Sequence, residues 1–359
     1  METKMLFGTR LRQAREAAGF SLRKLAAQLQ SVVSHAQLAK YEKGQDVPSS
    51  AVLLALCSAL ACSPDQLFRP MHAGVDAIAF RKKSRATKSG EKAVKARVQD
   101  SVDRYFELEG IVGVESKPLA PVGLRCSSGE DAEKAAVAVR DQWGLGENPI
   151  ANMIELLEEH HIKVQQVDVN EHFDGCSGWG QAGDMRFPII VLANWLGNDL
   201  PRKRFTAAHE LGHLVMDMPR LDAKEQEKAC HRFAGAFLLP RTALVAHIGP
   251  HRRQVEWKEL AFLKQEYGLS MAAALHRLHD HGIINDALYR QLCIAINVRG
   301  WRTQEPGTYV GTEECFRFRQ LLYRGLAEAK ISLTKAAELA GLDTGAFQKE
   351  LVTLGGGCG

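Results

Sequence analysis

Features that define several protein classes are absent from this sequence. No stretch of its 359 residues approaches the roughly 18 apolar residues of a membrane-spanning helix, and its first residues lack the apolar core of a signal peptide. Eight cysteines occur, but no two are spaced as Cys-x-x-Cys, which argues against a cysteine-based zinc finger. Scattered cysteines are typical of a reducing compartment. We therefore expect a cytoplasmic protein without a membrane partner.

The composition is typical of a globular protein, and the charge is distributed unevenly along the chain. Its length, with 45% apolar and 25% charged residues, predicts two or three domains. The net charge is +4, yet residues 1–100 hold 17 Lys and Arg against 8 Asp and Glu, and the remainder holds 29 against 34. A basic N-terminal part indicates contact with a polyanion. A solvated basic face would give the same balance, so charge alone leaves both interpretations open.

Hydrophobic periodicity predicts the order of elements. Residues 6–68 show helical spacing with tight turns, and residues 69–88 carry a basic run that is typical of a linker or arm. Alternation predicts strands at 163–169 and 187–193. The rhythm of Ile331–Gln348 resembles a helix-turn-helix, and we expect this helical pair to cap the body. Turns or a bulge are predicted at four glycines between the two strands: Gly175, Gly178, Gly180 and Gly183.

The strongest chemical motif is His209-Glu210-Leu211-Gly212-His213, on a predicted helix. Residues four apart share a helix face, so both imidazoles can point at one ion. Glu210 lies further round, where it can act as the general base on water at the ion. Gly212 permits close approach by a neighbouring element, and the preceding strand suggests edge pairing with an extended peptide. The alternative is a buried helix with two hydrogen-bonded histidines.

A third ligand is expected on the following helix, because a catalytic zinc normally takes three protein ligands plus water. Glu227 is preferred, since a carboxylate completes a His₂Glu set, whereas Glu225 points elsewhere, towards solvent. His231 lies one turn after Glu227 on the same stripe. It could replace Glu227 as a ligand, stabilise charge on the substrate oxygen, or orient a ligand.

A family resemblance rests on the HExxH motif together with a run in that following helix. The run consists of Glu227, then Phe233-Ala234, then Leu238-Leu239-Pro240. These positions, over roughly residues 130–250, resemble the ImmA/IrrE family of intracellular zinc metallopeptidases, whose members cleave helix-turn-helix repressors. The resemblance implies Zn²⁺ with Glu227 as its third ligand. Two positions depart from the family: His231 stands where Asn is usual, and Leu239 where Met is usual.

A second resemblance covers residues 6–68. The positions that carry it are Leu11-Arg12, Ala14-Arg15, Gly19, Ser21-Leu22, Leu25-Ala26, Ser34, Leu38-Ala39-Lys40-Tyr41-Glu42-Lys43-Gly44, Pro48-Ser49, Leu60, Asp65 and Leu67-Phe68. In register, they resemble the Cro/repressor-type helix-turn-helix domain. The resemblance implies that the helix after Ser34 enters the major groove of double-stranded DNA. The turn before Ser34 is about two residues longer than usual and lacks the usual glycine.

Contacts to DNA follow from that docking geometry. Base edges are expected to meet the start of the recognition helix: His35, Ala36 and Gln37. Ser34, which can cap this helix, is also expected to belong to the DNA-binding site. Phosphates are expected to meet three basic residues: Arg23, Lys24 and Lys40. Gln37 suits adenine, and repressor-type heads usually act as dimers, so we expect a homodimer. A helix-turn-helix used only for protein contacts is the alternative.

The predicted fold is mainly α. An all-α helix-turn-helix domain precedes an α+β zincin-like metallopeptidase domain with a small sheet, and a helical C-terminal region follows. The predicted boundaries are 1–70 for the helix-turn-helix domain, 71–130 for a helical linker, 131–250 for the metallopeptidase-like domain and 251–354 for the C-terminal region.

The order of these parts resembles a fused group of bacterial regulators. The main hypothesis is a DNA-binding transcriptional regulator whose zinc peptidase cleaves a repressor-type protein, or the chain's own linker near 69–88, in response to a stress signal. The second hypothesis is a non-hydrolytic transcription factor whose body senses a metal, a ligand or a partner. A third is an antitoxin-like or phage-derived partner protein that acts through contacts alone.

Overall fold

The computed structural model describes residues 2–30, 32–78, 88–169 and 173–355. Helices dominate these residues and strands are few, which confirms the predicted mainly α fold. No helix among them combines the length and the apolar character needed to cross a membrane. Residues 79–87, which hold the predicted basic run of the linker, lie outside the described part.

The elements follow one another along the chain. The helices are α1 (Glu2–Ala17), α2 (Leu22–Gln28), α3 (His35–Glu42), α4 (Ser50–Leu60), α5 (Pro64–Phe68), α6 (Lys88–Val112), α7 (Gly129–Gln142), α8 (Met153–Glu159), α9 (Leu200–Val215), α10 (Ala223–Leu238), α11 (Arg241–Ile248), α12 (Trp257–Tyr267), α13 (Met271–Asp280), α14 (Asp286–Val298), α15 (Arg317–Ala327), α16 (Leu333–Ala340) and α17 (Thr344–Gly355). The strands are β1 (Gly74–Ile78), β2 (Leu124–Arg125), β3 (Lys163–Val167), β4 (Gly175–Ala182), β5 (Met185–Ala193) and β6 (Met216–Asp217), and a 3₁₀ turn spans Asn194–Asn198.

These elements form two compact units, each built from separated parts of the chain. Unit 1 consists of Met1–Ser116, Trp179–Phe187 and Phe316–Gly359. Unit 2 consists of Lys117–Gly178 and Pro188–Cys315. Helices from both ends of the chain therefore belong to unit 1, whereas the HExxH segment belongs to unit 2.

The first five helices of unit 1 form a small bundle. A serine is the N-cap residue of each of the helices α2 to α5, and its side chain accepts a hydrogen bond from a backbone N–H in the first turn. These bonds satisfy backbone donors that have no partner within the helix. Phe7, Leu11, Leu25, Leu38 and Leu56 are buried together in one core. The periodic apolar positions of the sequence are therefore the positions that hold this bundle together.

A buried carboxylate ties this bundle to α6. Asp103 on α6 is fully buried and accepts a hydrogen bond from Arg10 of α1 at 2.7 Å. The same carboxylate accepts bonds from the backbone N–H groups of His72 and Ala73, at 2.9 and 3.0 Å. The predicted linker thus contains an ordered part that runs into β1, where the Val75 N–H donates to the Gln99 side chain.

The C-terminal helices α15, α16 and α17 belong to the core of unit 1. Leu321, Ile331, Leu339 and Phe347 are buried in one cluster with Leu108 of α6. The expectation that the pair over 331–348 caps the peptidase-like body is therefore wrong. Helices α6 and α15 cover the apolar face of this pair. The sequence did not identify these two helices, because an apolar face does not specify which element will pack on it.

Two predictions around β4 and β5 need correction. Three of the four glycines that predicted turns, Gly175, Gly178 and Gly180, lie inside strand β4. Two of them allow close packing instead: a Cβ at Gly175 would lie 2.9 Å from the Thr206 side chain, and one at Gly180 would overlap the Phe187 ring. Only Gly183 serves the turn, with φ at +56°.

Strand β5, which precedes the HExxH helix, was predicted to pair at its edge with a peptide. In unit 2 it pairs in parallel with β3 from Lys163↔Ile189 to Val167↔Ala193, and on its other side with β4. Its backbone donors and acceptors are therefore engaged in two ladders. Edge pairing of a peptide with β5 is excluded by this position in the sheet.

Candidate metal centre and recognition helix

Helix α9 carries the HExxH motif and begins at a defined anchor. Asp199 caps it by accepting a bond from the Arg202 N–H. Near its start, in the second turn, the fully buried Arg204 pairs with the fully buried Glu313 and donates to the Ile150 carbonyl at 2.7 Å. Burial raises the pKa of the Glu313 carboxyl, and the Arg204 charge opposes that rise. This anchor fixes the axial position of the histidines that follow.

Helix α10 lies against α9 where small residues allow it. Asp222 and Glu225 form a capping box at its start, so Glu225 is an exposed capping residue, as expected of a side chain that points to solvent. A Cβ at Gly212 of α9 would lie 3.1 Å from the Phe233 ring of α10. The predicted close approach at Gly212 is thus present, and it brings Glu227 opposite the two histidines.

The predicted ligands meet at one place. His209 Nε2 lies 3.7 Å from one oxygen of Glu227, and His213 Nε2 lies 3.4 Å from the other. Bonds of about 2.0–2.1 Å to a tetrahedral zinc ion would place donor atoms about 3.3 Å apart. Two imidazoles and a carboxylate with these separations fit a divalent ion such as zinc. His209 is buried, while His213 and Glu227 are about one-fifth exposed.

His231 also reaches this cluster. Ligand atoms of His209, Glu227 and His231 lie within 4.8 Å of one another. His231 Nδ1 lies 2.6 Å from the Glu227 carbonyl oxygen, and because a carbonyl only accepts, we assign the ring hydrogen to Nδ1. Nε2 then carries a lone pair. This tautomer suits a ligand, whereas stabilising a substrate oxygen would require a hydrogen on Nε2.

Glu210 is buried beside the ligands and held by a residue that the sequence did not point to. Ser177 Oγ donates to Glu210 Oε2 at 2.8 Å. Ser177 lies on β4, in the glycine-rich segment that predicted turns, so no sequence signal identified it. The bond orients the carboxylate of the predicted general base.

Cys230 is a second residue that sequence reasoning missed. Its side chain is fully buried, and its sulfur lies within 4.8 Å of ring nitrogens of both His209 and His213. Its place three residues after Glu227 on the same helix was a usable signal, because positions three apart share a face. The centre therefore offers nitrogen, oxygen and sulfur donors.

An ion-pair network holds α10 to its other neighbours. Glu133 of α7 pairs with Arg232 of α10 at 2.6 Å, with Arg277 of α13, and with His281 at 3.4 Å. Burial opposes ionisation of Glu133, but the hydrogen bond from His281 and the two arginine charges outweigh it and lower its pKa to about 2. A Cβ at Gly235 would lie 2.7 Å from the Arg277 side chain, so Arg277 needs this glycine.

A cavity of about 870 Å³ lies within unit 2 beside this cluster. Apolar, polar and charged residues of both signs line it, among them Phe205, Leu221, Lys228, His231, Arg232 and Asp280. Ligand sites typically span roughly 300–1,000 Å³. The space is large enough for side chains of a bound peptide, and His231 lies in both its wall and the metal cluster.

The residues predicted to contact DNA lie on α2 and α3. Arg23, Lys24, His35 and Lys40 are exposed, and the Ser34 side chain caps α3 by accepting from the Gln37 N–H at 3.1 Å. Two further residues predicted for base contact, Ala36 and Gln37, lie in the first turn of α3.

The long turn between α2 and α3 has two structural features. Gln30 adopts the left-handed conformation, with φ at +49°, which glycine ordinarily supplies. Val33 is buried in the bundle core and anchors the added length. The Gln37 side-chain nitrogen donates to Asp46, so a bidentate contact to adenine requires this bond to exchange.

Fold and site together define a helix-turn-helix protein fused to a metallopeptidase-like domain. Residues 6–68 match the family model of a helix-turn-helix domain. Residues 157–279 match the model of the IrrE N-terminal-like domain, a peptidase family of the M78 type. Both predicted resemblances are therefore confirmed, in the predicted order. A search of the curated proteins finds no match.

Proposed function

We propose that this chain is a DNA-binding transcriptional regulator whose body is a zinc-dependent metallopeptidase, acting on a repressor-type protein or on itself in response to a stress signal. One observation carries the proposal: the Glu227 carboxylate lies between His209 Nε2 and His213 Nε2, one oxygen towards each. The HExxH helix supplies a base in the same turn. The helix-turn-helix domain supports binding to DNA, and we expect the active form to be a homodimer.

The chain's own residues divide the work of hydrolysis. A zinc ion held by His209, His213 and Glu227 would polarise the scissile carbonyl and lower the pKa of a neighbouring water. Glu210 takes the proton from the attacking water and passes it to the leaving nitrogen. Ser177 keeps the Glu210 carboxylate in place for both transfers. The adjoining cavity receives substrate side chains.

The test compares the wild type with Glu210→Gln on a peptide library prepared from digested cell protein. We expect cleavage by the zinc-loaded wild type and a loss of roughly 10²–10⁴-fold in the variant, with equal zinc content in both. Mass spectrometry of the products measures both rate and site preference. Equal product patterns from the two proteins, or none from either, would refute a peptidase.

The choice between substrates needs the full-length chain. If the chain cuts itself, incubation with zinc and DNA should release an N-terminal fragment. If its substrate is another protein, the chain should stay intact and should cleave a member of a panel of helix-turn-helix repressors. Persistence of intact chain in wild type and Glu210→Gln alike argues against self-cleavage. Residues 79–87 of the candidate segment near 69–88 lie outside the described residues, so this experiment decides the question.

A second candidate function is a non-hydrolytic metal sensor. The observation that favours it is the Cys230 sulfur near both histidines, because cysteine is a common ligand in zinc sites that are not hydrolytic. The third sequence-based hypothesis, a partner protein acting through contacts alone, predicts that no metal binds.

A further inference from the structure

Most of the basic excess at the front of the chain lies outside the helix-turn-helix domain. Residues 1–68 hold 8 Lys and Arg against 5 Asp and Glu, whereas residues 69–100 hold 9 against 3. Part of this second group lies on the first turns of α6, where residues 88–97 include four basic residues and one acidic residue. The charge that indicates contact with a polyanion therefore continues from the head onto α6.

Helix α6 lies against the end of α1, beside the start of the helix-turn-helix motif. Arg97 Nε donates a hydrogen bond to the carbonyl of Ala17, the last residue of α1, at 3.0 Å. Lys92, five residues earlier on α6, lines a cavity of about 510 Å³ whose wall also contains Ser21, the N-cap of α2. Lys92 and Lys95 are both exposed, and positions three apart share a helix face. One exposed face of α6 therefore carries two lysines beside the first helix of the motif.

Phe20 connects this cavity to a residue that is predicted to contact DNA. The Phe20 side chain lies in the wall of the cavity together with Lys92, and Lys24 Nζ lies over the Phe20 ring, 5.1 Å from its centroid. In a docked helix-turn-helix the first helix of the motif crosses the DNA backbone, and Lys24 is expected to meet a phosphate there. Each strand presents a phosphate about every 3.4 Å along the duplex axis. The strand that meets Lys24 thus offers further phosphates on the Lys92 side of Phe20.

The charges around the cavity favour an anion. Arg15 donates to both carboxylate oxygens of Glu42, and Arg12 pairs with Glu16 at 3.2 Å. All four of these residues line the cavity together with Lys92. Because the two arginines and the two glutamates neutralise one another, Lys92 supplies the net positive charge of the lining.

We infer that the face of α6 with Lys92 and Lys95 is a second DNA-binding surface, which contacts backbone phosphates beside those that α2 meets. Phosphate contacts position a protein on the duplex but carry no base preference. This surface therefore adds affinity and orientation, while the choice of bases stays with α3. The inference rests on the proposed binding of DNA by the head and does not depend on the peptidase body.

The salt dependence of DNA binding tests the inference. Fluorescence anisotropy measures the affinity of the full-length chain for a long duplex of mixed sequence at several salt concentrations. Lys92→Ala and Lys95→Ala should each reduce the slope of log affinity against log salt by about 1, and the double variant should reduce it by about 2. Lys92→Arg keeps the charge and should keep the slope.

A matched control separates the position of a charge from net charge. Lys349→Ala removes an exposed lysine from α17 of the same unit and should leave the slope unchanged. A reduction equal to that of Lys92→Ala would mean that net charge alone sets the slope, which overturns the inference. A wild-type slope in the double variant, together with a reduced slope in Lys40→Ala, removes the surface on α6 and leaves DNA binding by the head standing. If the wild type binds no DNA, both proposals fail.

Chemical labelling of the wild type tests the same surface without any variant. The lysines are acetylated with and without the duplex, and mass spectrometry of the peptides measures the labelled fraction at each position. DNA should protect Lys92 and Lys95 as it protects Lys40, and it should leave Lys349 unprotected. Protection of Lys40 without protection of Lys92 and Lys95 would place the phosphates away from α6 and refute the inference.

Discussion

The recognition helix and the metal centre place their functional side chains in opposite surroundings. On α2 and α3 the predicted DNA contacts other than the half-buried Gln37 are exposed, whereas His209 and Glu210 in the metal centre are only 3% and 1% exposed. Exposed charges act through screened electrostatics, and their effect falls as salt increases. Buried donors act in a low dielectric and depend on exact placement. The two regions should therefore respond to substitution in different ways.

Both regions nevertheless use partly buried ion pairs to hold their helices. In the bundle, Arg15 of α1 donates to both carboxylate oxygens of Glu42 on α3, which sets the recognition helix. In unit 2, Glu133 forms ion pairs with Arg232 of α10, with Arg277 and with His281. The ion pairs lie beneath an exposed face in one region and around a buried site in the other. In both regions they fix the geometry of the polar groups.

The largest expected effect lies in the buried centre. His209→Ala removes a donor common to both metal groups, so we expect the purified protein to lose its zinc, measured by elemental analysis. The matched control is His279→Ala, whose ring pairs with Asp286 on the next helix and which should keep the metal. DNA affinity of both variants should equal that of the wild type. Full zinc content in His209→Ala would contradict the assigned centre.

The ion-pair network should make unit 2 sensitive to acid. The pKa of Glu133 is about 2 in the folded protein against an ordinary value of 4.5. A lowered carboxyl pKa stabilises the fold above pH 4.5, and this stabilisation is lost as the pH falls towards 2. Glu133→Gln should thus cost roughly 3 kcal/mol at neutral pH.

Urea unfolding of the wild type and Glu133→Gln across this range measures the effect. The difference between the two proteins in free energy of unfolding should shrink as the pH falls from 4.5 towards 2. A difference that stays constant with pH would mean that the Glu133 charge is not what stabilises the network.

A smaller effect is expected from a single exposed charge of the head. Lys40→Ala should weaken binding to all DNA sequences alike and reduce the slope of log affinity against log salt by about 1. Lys134→Ala removes a charge from α7 of unit 2 that is also exposed and should leave the slope unchanged. Fluorescence anisotropy at several salt concentrations measures both. Equal slopes for Lys40→Ala and wild type would remove Lys40 from the phosphate contacts.

The smallest effect is the loss of one helix cap. Ser34→Ala removes the cap of α3, and Ser332→Ala removes the equivalent cap of α16 in the same unit. Each should lower the free energy of unfolding by about 1 kcal/mol. Only Ser34→Ala should also weaken DNA binding, because α3 is the proposed recognition helix. If both weaken binding equally, the loss reflects stability rather than recognition.

Local patterns accounted for much of the fold and of the site. Helix caps such as Ser21 and Ser34 were readable because they act within three residues of their own helix. The face that His209 and His213 share, and the third donor Glu227, were readable because helical spacing is regular. Both family resemblances could be recognised from the sequence because they depend on residue types in a fixed register, and the matching family models confirm them.

Long-range contacts account for what was missed. Ser177 reaches Glu210 from β4 across 33 positions of the chain, and the glycines around it resemble turn residues until their neighbours are known. The C-terminal helices have an apolar face that any element could cover, and α6 covers it. The predicted segment boundaries at 70, 130 and 250 stay predictions. They divide the chain into consecutive segments, whereas each compact unit is assembled from segments that are separated in the sequence.

The sequence by itself determined the parts: a helix-turn-helix head, an HExxH helix and a following helix with Glu227 in reach. It could do so because the spacing of residues on one helix is set by local backbone geometry. Only the tertiary structure decided which donors share the centre, that Cys230 lies beside both histidines, and that β5 is an interior strand. Those relations depend on how elements distant in the chain pack together, which no local pattern encodes.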